Sequence, residues 1–271
     1  MKRRKRNPWL TVAINLALIA AGLTALSFLP PDNSLAEVRR IGALKLCVPS
    51  EYPVLVEKDL QKPGFDVELA RKIAEELGVR LVENEMMSMG KDFNPRNWQL
   101  TRGQCNVIAG GLADTETTRS FLQTIPTGIE TGWVAVSKEP ATPQEGQVWA
   151  VWPGSSGLDR IALSSWLRER GIRPVLLQSP DQIVDLIESG QIYGAIVERL
   201  IAAPLVSGQA YAMTWLAPET FTPVQLSQGL WKGDQTLYRA AKQAMEKISA
   251  SDWYGEAKVR YGLDAPIAVI Q

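Results

Sequence analysis

From residue 43 onward the chain switches repeatedly between two hydrophobic periods. Ala43–Val48 (ALKLCV) is a short, mostly apolar run and predicts a strand. In 66–77 the residues Val67, Ala70, Ile73, Ala74 and Leu77 fall on one helical face, and Gly78 ends the pattern. Strands are expected at 79–82, 106–109 and Trp133–Ser137. A second series begins with a strand at 148–151, a helix over 158–170 closed by Gly171, and a strand at 174–177. Ser179-Pro180-Asp181 then opens a helix, Ser179 capping and Pro180 at the first position, that runs to Gly190. A strand over 193–197 follows, and the last helix covers 234–249 with Leu237, Ala240, Ala241, Ala244, Met245 and Ile248 on its apolar face. Strand–helix–strand repetition implies an α/β fold of mostly parallel sheets flanked by helices. The polar stretch 138–147 reads as a link between two such units.

The first forty residues follow a different pattern. Lys2, Arg3, Arg4, Lys5 and Arg6 precede 21 largely apolar residues, 9–29, which Pro30-Pro31-Asp32-Asn33 interrupts before Ser34-Leu35-Ala36. A basic start, an apolar run and small residues at that site make an export signal. Cleavage after Ala36 is one expectation. Retention as an inner-membrane anchor is the other, because 21 helical residues span about 31 Å. Cys47 follows Leu44-Lys45-Leu46, which does not suit lipidation.

Composition narrows the chemistry. The 271 residues contain 29 Lys+Arg and 29 Asp+Glu; setting aside the five N-terminal cations and Asp32 leaves 24 basic and 28 acidic residues in 37–271, a net of −4. Such a body has no basic field for nucleic acid. There is no histidine and there are only two cysteines. Ser-His-Asp and Cys-His nucleophile systems, His-ligated metals and four-thiolate zinc are therefore excluded. No cofactor or metal is expected, and an enzyme would be left with carboxylates such as Glu51 or Glu198 for acid–base work.

Gly64-Phe65-Asp66-Val67-Glu68-Leu69, followed by Ile73, Ala74 and Leu77, could be a turn, a capping Asp and an amphipathic helix. It also resembles, position by position, the signature of the family 3 extracellular solute-binding proteins. Glu51-Tyr52-Pro53 after the first strand is similar to that family's Tyr-Pro loop. Gly103, the 106–109 strand, Gly110, Gly111, Thr115 and Arg119 resemble its Gly–strand–Thr–Arg segment, and Trp152-Pro153-Gly154-Ser155-Ser156 its second-lobe turn. Ser189-Gly190, Ile196-Val197-Glu198 and 229–234 continue the likeness, which spans about residues 40 to 264.

The resemblance implies a periplasmic-binding-protein type II fold, two α/β lobes joined by two crossing segments with a ligand between them. Residues 1–36 would be signal or anchor, 37–131 the first part of lobe 1, 132–225 lobe 2, and 226–271 the return to lobe 1. It implies a periplasmic or otherwise extracytoplasmic protein that captures an amino acid or similar carboxylate for an ABC permease. Arg119 would grip the carboxylate bidentately, aided by Gly154, Ser155 and Ser156 ahead of a helix. Glu198 would take an amine, Tyr52 and Trp152 would stack on the ligand body, and Gly110, Gly111 and Thr115 would line the approach. Plainer roles remain open: a solvated Arg119, a Glu198 paired with Arg199, a simple turn at Gly154, and packing roles for Tyr52 and Trp152. Departures matter too. The family usually has Asp where Glu198 stands, and a Thr-to-Arg spacing one residue shorter than Thr115–Arg119.

Cys47 and Cys105 occupy positions similar to those in the solute-binding-like proteins that accompany quinoprotein methanol dehydrogenases. That likeness implies one disulfide, two separate buried thiols being the alternative. It also keeps a non-transport sensor or accessory protein beside the transport reading, with a dehydratase-like enzyme third.

Overall fold

The computed structural model describes residues 8–27, 32–89, 94–153, 158–206 and 211–270. The chain divides into two units, Met1–Asn33 and Ser34–Gln271. The first holds helix α1 (Pro8–Ser27). Among the described residues no helix is long and apolar enough to cross a membrane.

In the second unit the chain runs α2 (Ser34–Ile41), β1 (Ala43–Val48), α3 (Phe65–Leu77), β2 (Arg80–Glu85), β3 (Val107–Ala113), α4 (Glu116–Phe121) and β4 (Leu122–Thr131). It then runs β5 (Trp133–Ser137), β6 (Trp149–Val151), α5 (Arg160–Glu169), β7 (Val175–Leu176), α6 (Gln182–Glu188), β8 (Gly194–Glu198), α7 (Arg199–Val206) and β9 (Ala212–Trp215). It ends with β10 (Val224–Trp231), α8 (Gln235–Ser249), α9 (Asp252–Arg260) and β11 (Ile267–Ala268). One sheet has the order β2-β1-β3-β10-β4 and the other β11-β9-β5-β8-β6-β7.

The sheets are mixed, for a topological reason. β1, β2 and β3 pair in parallel, as do β6, β7 and β8. In each sheet the one strand that opposes both of its neighbours is one the chain enters directly after leaving the other sheet. β5 follows β4 and opposes β8 and β9, while β10 follows β9 and opposes β3 and β4. β11 pairs with β9, so the last strand lies on the second sheet.

Each sheet has its own core. Leu44, Leu46, Phe65, Leu69, Ile73, Leu230, Leu237 and Met245 belong to one large cluster around the first sheet. Val134, Val136, Ile183, Ala195, Val197 and Met213 belong to a cluster on the second. The apolar faces expected for α3 and α8 are the buried ones, except that Ala240 is only partly covered. Ser34 and Leu35, part of the expected cleavage motif, start α2 and bond to α8: Leu35 N–H donates to Thr236 Oγ1 at 3.2 Å, and Leu237 N–H to Ser34 Oγ at 3.2 Å. The folded unit thus begins ahead of Ala36.

Cys47 in β1 and Cys105 just before β3 are joined by a disulfide with Cα atoms 5.4 Å apart. The pair is fully buried beside Trp98, Ile108, Leu122 and Trp231, whose indole N–H donates to Cys105 O at 2.8 Å. The bridge closes a loop with a sequence separation of 58. Reducing it, or substituting Cys47→Ala with Cys105→Ala, is expected to lower unfolding stability by about 2–4 kcal/mol. Urea titrations with and without reductant read this directly, and coincident midpoints would refute a structural role for the bridge.

Candidate functional site

Five local features converge where the two sheets meet. The loop after β1 folds back on itself: Tyr52 N–H donates to Val56 O at 2.9 Å and Val56 N–H returns to Tyr52 O at 2.8 Å. Val54 sits inside this turn at φ 58°, an unfavourable backbone for a β-branched residue, and its carbonyl receives Phe65 N–H at 2.8 Å. The loop is thereby pinned to the start of α3, and Tyr52 is aimed at the second sheet.

Gly110 and Gly111 end the straight part of β3, both at φ 87°. A Cβ on Gly111 would lie 2.7 Å from the Tyr52 ring, and one on Gly110 would lie 2.5 Å from Pro49 Cδ. The space that a side chain on either glycine would need is taken by Pro49, Val56 and Tyr52. Gly111→Ala is expected to cost about 1–3 kcal/mol through overpacking and backbone strain, measured by thermal or urea unfolding. A neutral substitution would mean that the Tyr52 ring is free to move aside.

Asp66, expected to cap its helix, does not. The N-cap of α3 is Gly64, with no side-chain cap bond, and Asp66 reaches under β3 instead. Its Oδ2 accepts Gly110 N–H at 2.8 Å, while Oδ1 is buried without a hydrogen-bond partner. Gln228 Nε2 from β10 donates to Asp66 O at 3.0 Å. Burial raises the Asp66 carboxyl from 3.8 to about 6, the N–H groups of Gly110 and Gly111 pulling the other way.

The second sheet contributes Glu198 at the end of β8, 4% exposed. Its Oε1 accepts the Tyr52 hydroxyl at 2.6 Å and the Thr131 hydroxyl at 2.7 Å. Burial and the Glu198 charge push the Tyr52 phenol well above its ordinary value, so Tyr52 remains a donor. Thr131 closes β4, one residue before the crossing at Gly132. Arg199, next to Glu198, is also buried and donates to Glu130 O at 2.6 Å and Leu263 O at 2.8 Å. In place of the Glu198–Arg199 pair that was one open alternative, the carboxylate takes hydroxyls and the guanidinium takes carbonyls.

The remaining expected residues separate. Arg119 lies on α4 with its side chain 51% exposed, donating to Asp114 O and Oδ1, each at 3.0 Å. Thr118, at the family's usual spacing from Thr115, is the buried one. One extra residue turns a side chain about 100° around a helix, which accounts for the outward guanidinium. Thr115 caps α4, its Oγ1 accepting Thr118 N–H at 3.2 Å. Trp152 packs against the second-sheet core. Gly154, Ser155 and Ser156 lie outside the described residues. Thr131 was not anticipated, and no local sequence signal marks it.

A family profile matches residues 44–264, the description being bacterial extracellular solute-binding proteins, family 3. This chain belongs to that family. No curated protein matches it in sequence. Solved structures share the fold across most of the chain. A polar amino acid ABC uptake transporter substrate-binding protein from Streptococcus thermophilus is 17% identical with TM-score 0.69, covering 85% of this chain and 90% of that one. A substrate-binding protein of an ABC uptake transporter from Streptococcus pneumoniae, with bound histidine, is 15% identical with TM-score 0.58, covering 85% and 96%. An ancestral amino-acid-binding protein described as a precursor of cyclohexadienyl dehydratase is 17% identical with TM-score 0.57, covering 84% and 99%. At these identities the likeness shows the fold, a type II periplasmic-binding-protein architecture.

The Asp66 carboxyl carries a pH signature. A carboxyl whose folded pKa lies above its unfolded value binds its proton more tightly in the native state. Stability from this group is therefore complete below about 3.8 and lost as pH rises through about 6. A shift of about two units corresponds to about 3 kcal/mol. Asp66→Asn should remove that decline between about pH 4 and 7, read from urea midpoints. Parallel pH profiles for the parent and Asp66→Asn would rule out the assignment.

Proposed function

We propose that the chain is an extracytoplasmic receptor that captures a small polar solute between its two sheets and presents it to an ABC permease. The observation that carries this is the convergence of Tyr52 from the first sheet's loop, Thr131 from the crossing segment and Glu198 from the second sheet on one buried carboxylate oxygen. An anionic, hydroxyl-lined junction suits the ammonium of an amino acid or another amine. The proposed partner for a ligand carboxylate is the Gly154, Ser155 and Ser156 turn rather than Arg119, which Asp114 already occupies.

A second reading has its own support. Tyr52 and Glu198 satisfy each other directly, and Arg119 faces away, so the cleft departs from an amino-acid site at two of its expected positions. A sensor or accessory protein that uses the fold as a scaffold for another protein fits those departures. A dehydratase-like enzyme fits less well, since the carboxyl raised toward neutrality, Asp66, is enclosed beneath β3.

The test is the melting temperature of the purified chain against amino acids, amines and small organic acids. A solute at 100 times its Kd adds about 2.7 kcal/mol. One compound class should shift the melting point, the shift should vanish in Glu198→Gln, and it should persist in Arg119→Ala. No shift across the panel would favour the accessory reading, and loss in Arg119→Ala would overturn the site as drawn.

A further inference from the structure

The second sheet ends in β7, which pairs only with β6 and leaves Val175 and Leu176 exposed. Between this edge and α5 lies a cavity of about 740 Å³, within the size range of small-molecule sites. Its floor is apolar, formed by Val151, Leu163, Leu167 and Ile172, all buried. Its rim is cationic. Arg160 and Arg168 stand on α5 eight residues apart, about 12 Å along the helix, with Ser164 midway on the same ridge. Arg173 faces them from the loop before β7, and Glu145 is the one acid on the wall.

Charge distinguishes this groove from the rest of the molecule. Three arginines against one glutamate give it +2, whereas residues 37–271 sum to −4. Arg119, Arg199 and Arg260 each hold an acid or a carbonyl, and Arg170 stacks on Trp166 at 4.1 Å. Among the described residues Arg160, Arg168 and Arg173 make no ion pair with an acid. Guanidinium groups with no internal partner around an apolar floor complement one kind of ligand. We propose that this groove is a second binding site, separate from the junction at Glu198, for a small amphipathic anion. An aryl or alkyl body would lie on Leu163 and Leu167, and its carboxylate, sulfonate or phosphate would be gripped by Arg168 and Arg173. The guanidinium fork gives the anion geometry, and the floor gives the body a place out of water.

The test uses the full chain with 8-anilinonaphthalene-1-sulfonate as probe, read by fluorescence titration under native conditions. Saturable one-to-one binding is expected, about tenfold or more weaker in Arg168→Gln/Arg173→Gln and weaker in Ser164→Trp, which fills the groove and keeps its charge. All three positions are exposed, so each variant should melt with the parent. Glu198→Gln should bind the probe like the parent. Inorganic phosphate and benzyl alcohol, each offering half of the required chemistry, should compete poorly. Binding that survives the arginine substitutions, binding lost in Glu198→Gln, phosphate competing as well as the probe itself, or no saturable binding would each overturn the proposal. None of these results depends on the melting-point panel for the junction.

Discussion

Two adjacent buried charges, Glu198 and Arg199, set the geometry of everything between the sheets. Taking a carboxylate or guanidinium out of water is costly unless oriented partners replace the solvent. The partners here come from separate parts of the chain. Thr131 and Glu130 lie at the end of the first sheet, Tyr52 on its loop, and Leu263 on the returning C-terminal segment. A shift of either sheet would strand one of these charges. The end of β8 thus acts as the joint: Glu198 collects hydroxyls on the side facing Tyr52, and Arg199 collects carbonyls from the connecting segments.

The first sheet can offer Tyr52 at a fixed place because two of its inner strands are tied. The Cys47–Cys105 bridge holds β1 to the residue leading into β3, and Asp66 holds the middle of β3 through Gly110. Between these ties the glycines accept the Pro49, Val56 and Tyr52 side chains that any Cβ would exclude. The loop after β1 is therefore packed as core rather than left as a flexible lip, and Val54 stays at φ 58° because the hydrogen bonds around it allow no other path.

The parts of this arrangement that were legible in the sequence are those governed by period and punctuation. β1, α3, β5 and α8 follow from runs of apolar residues at helical or strand spacing, ended by Gly78 or bounded by polar links. β4 was not legible because Pro126 and Gly128 interrupt it; at the edge of a sheet, a missing donor and a missing side chain are tolerated. α6 starts at Gln182 behind Asp181, and Ser179 bonds to Asp181 rather than capping the helix. In the site, the sequence offered Glu198 and Tyr52 as separate ligand contacts, and nothing along the chain marked that they would bond to each other. Asp66 was misread because a capping acid and an acid buried under the neighbouring strand look identical along the chain. Arg119 lies on the exposed side of α4, bonded to Asp114, where Thr118 at the shorter spacing from Thr115 is buried.

The junction's self-sufficiency bears on how a receptor of this shape would work. A hydrogen bond to a charged group contributes about 1.5–3 kcal/mol net, and Glu198 already holds two from hydroxyls. A solute that takes Oε1 of Glu198 on the proposed reading competes with Tyr52 for it, so its affinity is reduced by whatever the tyrosine bond contributes. The same contact makes binding selective. A neutral hydroxyl or amide merely replaces one neutral donor with another, whereas an ammonium replaces it with a charged one. Because Tyr52 and Glu198 belong to different sheets, that exchange couples ligand chemistry to the spacing of the lobes.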